Sequence, residues 1–260
     1  MKIISWNLRC VWKNGDGIND FIHRAGFIYD KITSEKPALI GFQEMTSNSL
    51  QLLKRMLPEY EFFGGMRSEN YDGEGLYLAF LKDEFIFTGG EVFWMSPTPY
   101  VAGSRFKDQS DCPRICVYAK LVDKKSKRVF NFFDLHLDNI SSSAAYNGLN
   151  CVFDYIDERE GCIDKDNTVI MGDFNSFENS PTVEFARGKS WLFEATENIK
   201  ETFHSFGQRK NNNGEKEFVK IDYVFISRAL ESRMEKAETW KDEKDGIYLS
   251  DHYPVCIELT

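Results

Sequence analysis

Val169–Ser176, VIMGDFNS, decides how the rest of the chain is read. Val169-Ile170-Met171 is a short apolar run stopped by Gly172, the pattern of a buried strand. Asp173 and Asn175 follow, where such a strand gives way to a loop. Side chains two apart on an extended segment point the same way, so the pair projects together from the mouth of a sheet. A carboxylate that can take a proton, beside an amide that can donate a hydrogen bond, is useful next to a phosphate. Asp and Asn are also common turn formers, and alone the stretch fits an Asx-rich turn as well. The rest of the chain separates the two readings.

The chain has 260 residues, 42% of them hydrophobic, with 22 Phe, enough for a thick core in one layered domain spanning 1–260. A net charge of −9 argues against a broad basic surface for nucleic acid, because counterion release needs clustered Lys and Arg. It leaves room for a phosphate gripped locally through a metal. The six cysteines form no C-x-x-C pair, which suggests reduced, mostly buried thiols. No apolar run approaches a membrane span, and Met1-Lys2 runs straight into Ile3-Ile4-Ser5-Trp6 without a signal-peptide core. The default expectation is therefore a cytoplasmic monomer.

In chain order, Lys2–Leu8 reads as a strand and Asn19–Ser34 as an amphipathic helix with Asn19 as N-cap. Ala38–Phe42 is a second buried strand that delivers Gln43-Glu44 at its end, and a polar helix over Ser49–Leu57 stops at Pro58. Tyr60–Val92 reads as β-structure interrupted by the polar loop Arg67–Gly75. Tyr100–Pro113 is a long irregular loop, of a length that is often functional. Strands follow at Ile115–Val122 and Val129–Leu137, then a helix over Ser142–Glu160, the opening stretch, and a short helix begun by Ser180-Pro181. The loop Gln208–Glu217 precedes a strand over Val219–Ser227, and Pro254–Leu259 is the last strand. Phe93-Trp94 reads as core.

Several strands carry a charged, imidazole or amide residue in or directly after a buried run: Asn7, Glu44, His136, Asp173 with Asn175, Asp222, and Asp251-His252. Asp222 sits within apolar neighbours, and a buried carboxylate needs a partner or a metal. His252 is the natural partner, and the pairing would fix its tautomer and favour the imidazolium.

The segments ISWN, GFQE, FFDLHLDN, GDFNS, KIDYVFIS and LSDHYPV, in this order from Ile4 to Val255, together resemble the signature blocks of the endonuclease/exonuclease/phosphatase superfamily. Each block alone is weak; six in series at sensible spacing are specific. FWMSPTP and SDHYPV look closest to an uncharacterised bacterial branch. The resemblance implies an α/β fold, a four-layer α/β/β/α sandwich of two mainly antiparallel sheets flanked by helices, with the site at one edge. It also implies Glu44 as the main ligand of Mg²⁺ (or Mn²⁺), with Asn7 beside it and Asp251 completing the acidic cluster, a donor set that suits a hard cation. By the same likeness Asp173 would align or deprotonate the attacking water and Asn175 would hold that water or a phosphate oxygen. His136, and His252 oriented by Asp222, would donate to phosphoryl oxygens as charge develops.

Two further residues are substrate-binding candidates: Arg114, able to clamp a phosphate bidentately, and His204, if it reaches the cleft. Asp134 shares a strand face with His136, and either orients that histidine or meets solvent. Arg9 stands where DNA-repair members carry an acidic residue, which weakens a second metal ligand and an abasic-site role. The W-x-D-R block of inositol 5-phosphatases is missing. The expected partner is a phosphate-ester substrate, a nucleotide or nucleic acid among the choices, hydrolysed by in-line attack of water. The competing reading is a binding or regulatory module on the same fold with little turnover.

Overall fold

A computed structural model describes every residue, Met1–Thr260. β1 (Lys2–Asn7) leads to α1 (Phe21–Glu35), β2 (Leu39–Thr46), α2 (Ser47–Met56), β3 (Tyr60–Met66), β4 (Glu74–Leu81) and β5 (Phe85–Trp94). An irregular segment then reaches β6 (Ile115–Asp123), β7 (Val129–His136), α3 (Ser142–Glu158), β8 (Thr168–Asp173), α4 (Pro181–Arg187) and β9 (Leu192–Glu194). The chain ends through β10 (Asp222–Ser227), β11 (Met234–Thr239), the two-residue strands β12 (Glu243–Lys244) and β13 (Ile247–Tyr248), and β14 (Val255–Leu259).

One six-stranded sheet has the order β11-β14-β1-β2-β4-β3, the other β5-β6-β7-β8-β10-β9. Their inner faces meet through Ile3, Leu39 and Leu78 on one side and Val117, Phe132, Val169 and Val224 on the other. Helices α1 and α2 cover the first sheet with Ile28, Ile32 and Leu53. Helices α3 and α4 cover the second with Leu149, Val152 and Val183. The layers are therefore α/β/β/α, as the resemblance implies. Phe93 and Trp94 are buried, as read from the sequence.

The two sheets are antiparallel except at their centres, where β1 pairs parallel with β2 and β7 with β8. This topology positions the site. The C-terminal ends of the parallel pairs carry Asn7, Glu44, His136 and Asp173, with His136 and Asp173 directly in register. Antiparallel β10 begins where β8 ends, Asp222 opposite Asp173. β14 runs antiparallel to β1 with Val255 opposite Ser5, so the preceding Asp251-His252 reaches the same edge.

Several boundaries differ from expectation. Asp20, not Asn19, is the N-cap position of α1; the Asn19 side chain donates instead to the carbonyl of Gly246. Strand β2 continues through Gln43-Glu44 to Thr46, with its register shifted between Phe42 and Met45. β10 starts at Asp222, and Val219 makes only an isolated bridge with Phe203. Strands β9, β11, β12 and β13 were not expected, being short or, in β11, a half-charged edge strand. All six cysteines are free, three of them buried.

Gly172 is forced by close approach. Its φ is +147°, and a Cβ there would lie 1.9 Å from the carbonyl oxygen of Leu135 on the neighbouring strand. Gly172→Ala is expected to lower the unfolding free energy by about 3 kcal/mol or more, read from the urea midpoint. A loss below about 1 kcal/mol would show that β7 and β8 separate easily.

Candidate active site

The second carboxylate oxygen of Asp173 is the focus of the edge. Asn7 Nδ2 donates to it at 3.1 Å, His136 Nε2 lies 3.4 Å away, and His252 Nε2 lies 3.8 Å away. The other oxygen accepts the backbone N–H of Asn175 at 2.8 Å. Three nitrogens from three segments thus converge on one oxygen, in a site where Asp173, His136 and His252 are all buried.

Local backbone distortions aim these side chains. The bulge in β2 puts Glu44 at φ +58°, and a bulge re-aims one side chain out of the pleat. Arg9 (φ +48°) and Asn175 (φ +45°) are left-handed too. Asn accepts this conformation, whereas Glu and Arg store about 1 kcal/mol each. Glu44 Oε1 accepts from Asn7 Nδ2 at 3.1 Å, and Asn7 Oδ1 accepts the Arg9 N–H at 3.0 Å. Asn7 therefore turns its NH₂, not its oxygen, to the two carboxylates.

His252 Nδ1 meets both Asp222 oxygens, at 2.9 and 3.1 Å. Burial disfavours the imidazolium, but Asp222, Asp173 and Asp251 outweigh it and raise the His252 pKa to about 10. Burial and the repulsion of Asp222 raise Asp173 to about 7. Burial, then Glu74 and Asp251, raise Glu44. His136 is pushed well down by burial and by Arg114, Arg67 and His252. One histidine is thus charged and the other neutral, both against the same carboxylate.

These groups face an open cavity of about 510 Å³. Its lining includes the predicted Glu44, Arg114, His136, Asp173, Asn175, Asp251 and His252. Asn7 and Asp222 sit behind the wall, bonded to groups that line it. His204 does not line it: it is buried and stacked on Tyr253 at 4.0 Å, accepts the Gly207 N–H, and is pushed by burial to a pKa of about 3. Substrate contact by His204 therefore has no geometry here. Asp134 neither meets solvent nor bonds His136; it is buried, held well above the usual carboxylate range by burial, and accepts from Gln43 Nε2 at 2.6 Å.

The three polar loops complete the cavity with residues that carry no sequence signal of their own. Arg67 and Glu74 pair at 2.6 Å across the ends of the Arg67–Gly75 loop. Cys112 ends the long irregular loop, and its sulfur accepts from Arg67. Arg209 enters from Gln208–Glu217, paired with Glu217. Phe177, exposed at the mouth, gave no signal beyond following GDFNS. Arg114 is buried, 3.5 Å from Asp138 and donating to Asn139, with no hydrogen-bond partner for its Nε.

Asp173, Asp222 and His252 form a buried cluster of metal-capable donors. There the imidazolium already supplies the countercharge, which makes it an ion-pair chain. Glu44 and Asp251 fit a cation better. They are oxygen donors that face the cavity, and Asp251 adds to the cost of ionising Glu44, the chemistry that a hard divalent ion relieves.

The comparisons with known proteins agree with this fold. No curated protein is significantly similar in sequence. The endonuclease/exonuclease/phosphatase of Bacteroides vulgatus shares the fold at TM-score 0.87 and 25% identity, covering 100% of this chain and 98% of that one. The mannosyl-6-phosphatase Bt3783 of Bacteroides thetaiotaomicron superposes at TM-score 0.82 and 25% identity, covering 100% and 99%. The fold extends to D. rerio TDP2, solved with a single-strand DNA product, at TM-score 0.72 and 16% identity, covering 99% and 97%. The sequence profile described as the Endonuclease/Exonuclease/phosphatase family matches residues 4–252, and the chain belongs to that family of phosphate-ester hydrolases.

Proposed function

We propose that this edge hydrolyses small phosphate esters by in-line attack of water, in a reaction that depends on a divalent cation, Mg²⁺ or Mn²⁺. The observation that carries the reading is the convergence of Asn7, His136 and His252 on one oxygen of Asp173. A cation held by Glu44 and Asp251, joined by Asn7 if its carboxamide turns over, would neutralise charge on the phosphoryl oxygens. Asp173 takes the proton of the attacking water and Asn175 steadies that water or a phosphate oxygen. His252, kept protonated by Asp222, donates to the oxygen on which charge accumulates, while neutral His136 donates without adding a second charge. Arg114 and Arg67 flank the phosphate with fixed positive charge. A cavity of about 510 Å³ fits a compact ligand, and a net charge of −9 disfavours long nucleic acid. Both favour a sugar phosphate or nucleotide, and the likeness to a mannosyl-6-phosphatase points the same way. No helix is long and apolar enough to cross a membrane.

Turnover of a panel of sugar phosphates, mononucleotides, oligonucleotides and an aryl phosphodiester tests the reading. Asp173→Asn is expected to lower kcat by about 10²–10⁴-fold, the usual worth of a positioned base. Glu44→Gln is expected to weaken activation by Mg²⁺ by about tenfold or more. Wild-type turnover that persists in chelator, or unchanged turnover in Asp173→Asn, would remove the mechanism.

The pKa directions give a second test. Asp173 and Glu44 are raised above their unfolded values, so in metal-free protein they favour folding when protonated. That contribution is complete below about pH 4 and is lost as pH rises, for Asp173 through about 7. A divalent cation restores stability only where the carboxylates are ionised. Mg²⁺ should therefore raise the unfolding temperature by several degrees at about pH 8 and by little at about pH 5. Equal shifts at both would exclude these carboxylates as the ligands.

A further inference from the structure

We infer that Arg24, on α1 and outside the cavity, is a positioning residue that locks together the two loops presenting Asn7 and Asp251. Its side chain has no solvent exposure. Nε donates to the carbonyl of Asn19 at 2.6 Å, Nη1 to that of Leu249 at 2.7 Å, and Nη2 to that of Arg9. No carboxylate pairs with it; Phe21 and Phe206 rings flank it at 5.7 Å. A buried guanidinium without an anion is costly, so what it holds matters.

It holds backbone beside the site on both sides. Arg9 is two residues past Asn7 and left-handed, and its N–H fixes the Asn7 carboxamide. Leu249 is two residues before Asp251. Between them Ser250 Oγ donates to the Asn7 carbonyl at 2.6 Å and lies 3.2 Å from Asp251 Oδ1. One planar fork thus ties the β1 exit to the β14 approach, segments from opposite ends of the chain. Lysine cannot replace it, because a single ammonium on a shorter reach does not span three separated carbonyls. The same cation faces Asp251 through space, which offsets part of the repulsion among the acidic residues.

The inference rests on the function proposed above, and its test separates the two. Mn²⁺ binding to chelator-stripped protein is measured by calorimetry, alongside kcat/KM on the best ester of the panel. Arg24→Lys is expected to weaken Mn²⁺ binding by about tenfold or more, the usual worth of a residue behind the ligands, with a parallel loss in kcat/KM. A packing control on the same helix, Ile28→Val or Ile32→Ala, matched in lost stability, is expected to hold Mn²⁺ affinity within about twofold. If Arg24→Lys is too unstable to titrate, Arg24→Gly supplemented with methylguanidinium replaces it, and the added cation should restore Mn²⁺ affinity. Wild-type affinity in Arg24→Lys, equal weakening in the control, or no rescue by methylguanidinium would each overturn the inference. Wild-type protein that binds no Mn²⁺ and hydrolyses nothing would overturn the functional reading, and this inference with it.

Discussion

Crowding of negative charge at one edge of a two-sheet sandwich is the constraint on which the rest of the molecule depends. Glu44, Asp173, Asp222 and Asp251 gather there, and His252 is the one cation held among them by a direct, fully buried contact. Raising Asp173 to about 7 corresponds to a cost on the order of 4 kcal/mol for its ionised form. That is a large fraction of the net stability of an ordinary domain. The apolar layer between the sheets must carry it, and at neutral pH an added cation at Glu44 and Asp251 would relieve it.

Topology makes the crowding unavoidable. A parallel pair ends both its strands at one edge, and an antiparallel neighbour begins where they end. Each sheet has one such pair at its centre with an antiparallel strand beside it. Stacking the sheets brings the pairs into contact, as the Asn7–Asp173 hydrogen bond records. Gly172 lets β8 lie against β7 closely enough for His136 and Asp173 to stand in register. The left-handed residues at positions 9, 44 and 175 then turn the chain at the edge, so strain collects where the polar groups must be aimed.

Much of this was legible in the letters. The strand-ending residues stood out because a polar side chain directly after a buried run is seldom placed there by packing, and the six blocks arranged them in order. Less legible was anything set by backbone geometry. The bulge that turns Glu44 leaves only a slight mark, the adjacent polar pair Gln43-Glu44 that puts the core residues Phe42 and Met45 three apart instead of two. Strand β11, MEKAET, is an edge strand with too few apolar residues to show a period. His204 could bind substrate only if it reached the cleft, and its stacking on Tyr253 instead depends on a turn the sequence does not specify. The arginines at 67 and 209 lie in polar loops whose charge reads as solvated until the fold closes them over the cavity.

The opposite protonation states of the two histidines show how far environment, not residue type, sets the chemistry. Both point a ring nitrogen at the same oxygen. His252 stands between Asp222 and Asp173 and is charged. His136 faces Arg114 and Arg67 and is neutral. Asp134, two residues below His136 on the same strand face, is not among the groups that set this balance. It cannot ionise readily: it is enclosed between the sheets under Gly41, with only the Gln43 amide as a side-chain donor. A Cβ at position 41 would meet the Met171 methyl at 2.7 Å and this carboxyl group at 2.9 Å, so the close approach of the two sheets here requires the glycine. Burial and the two arginines keep His136 neutral, and that leaves a single imidazolium beside the base. Such separated states on paired groups are what acid–base work at one centre requires.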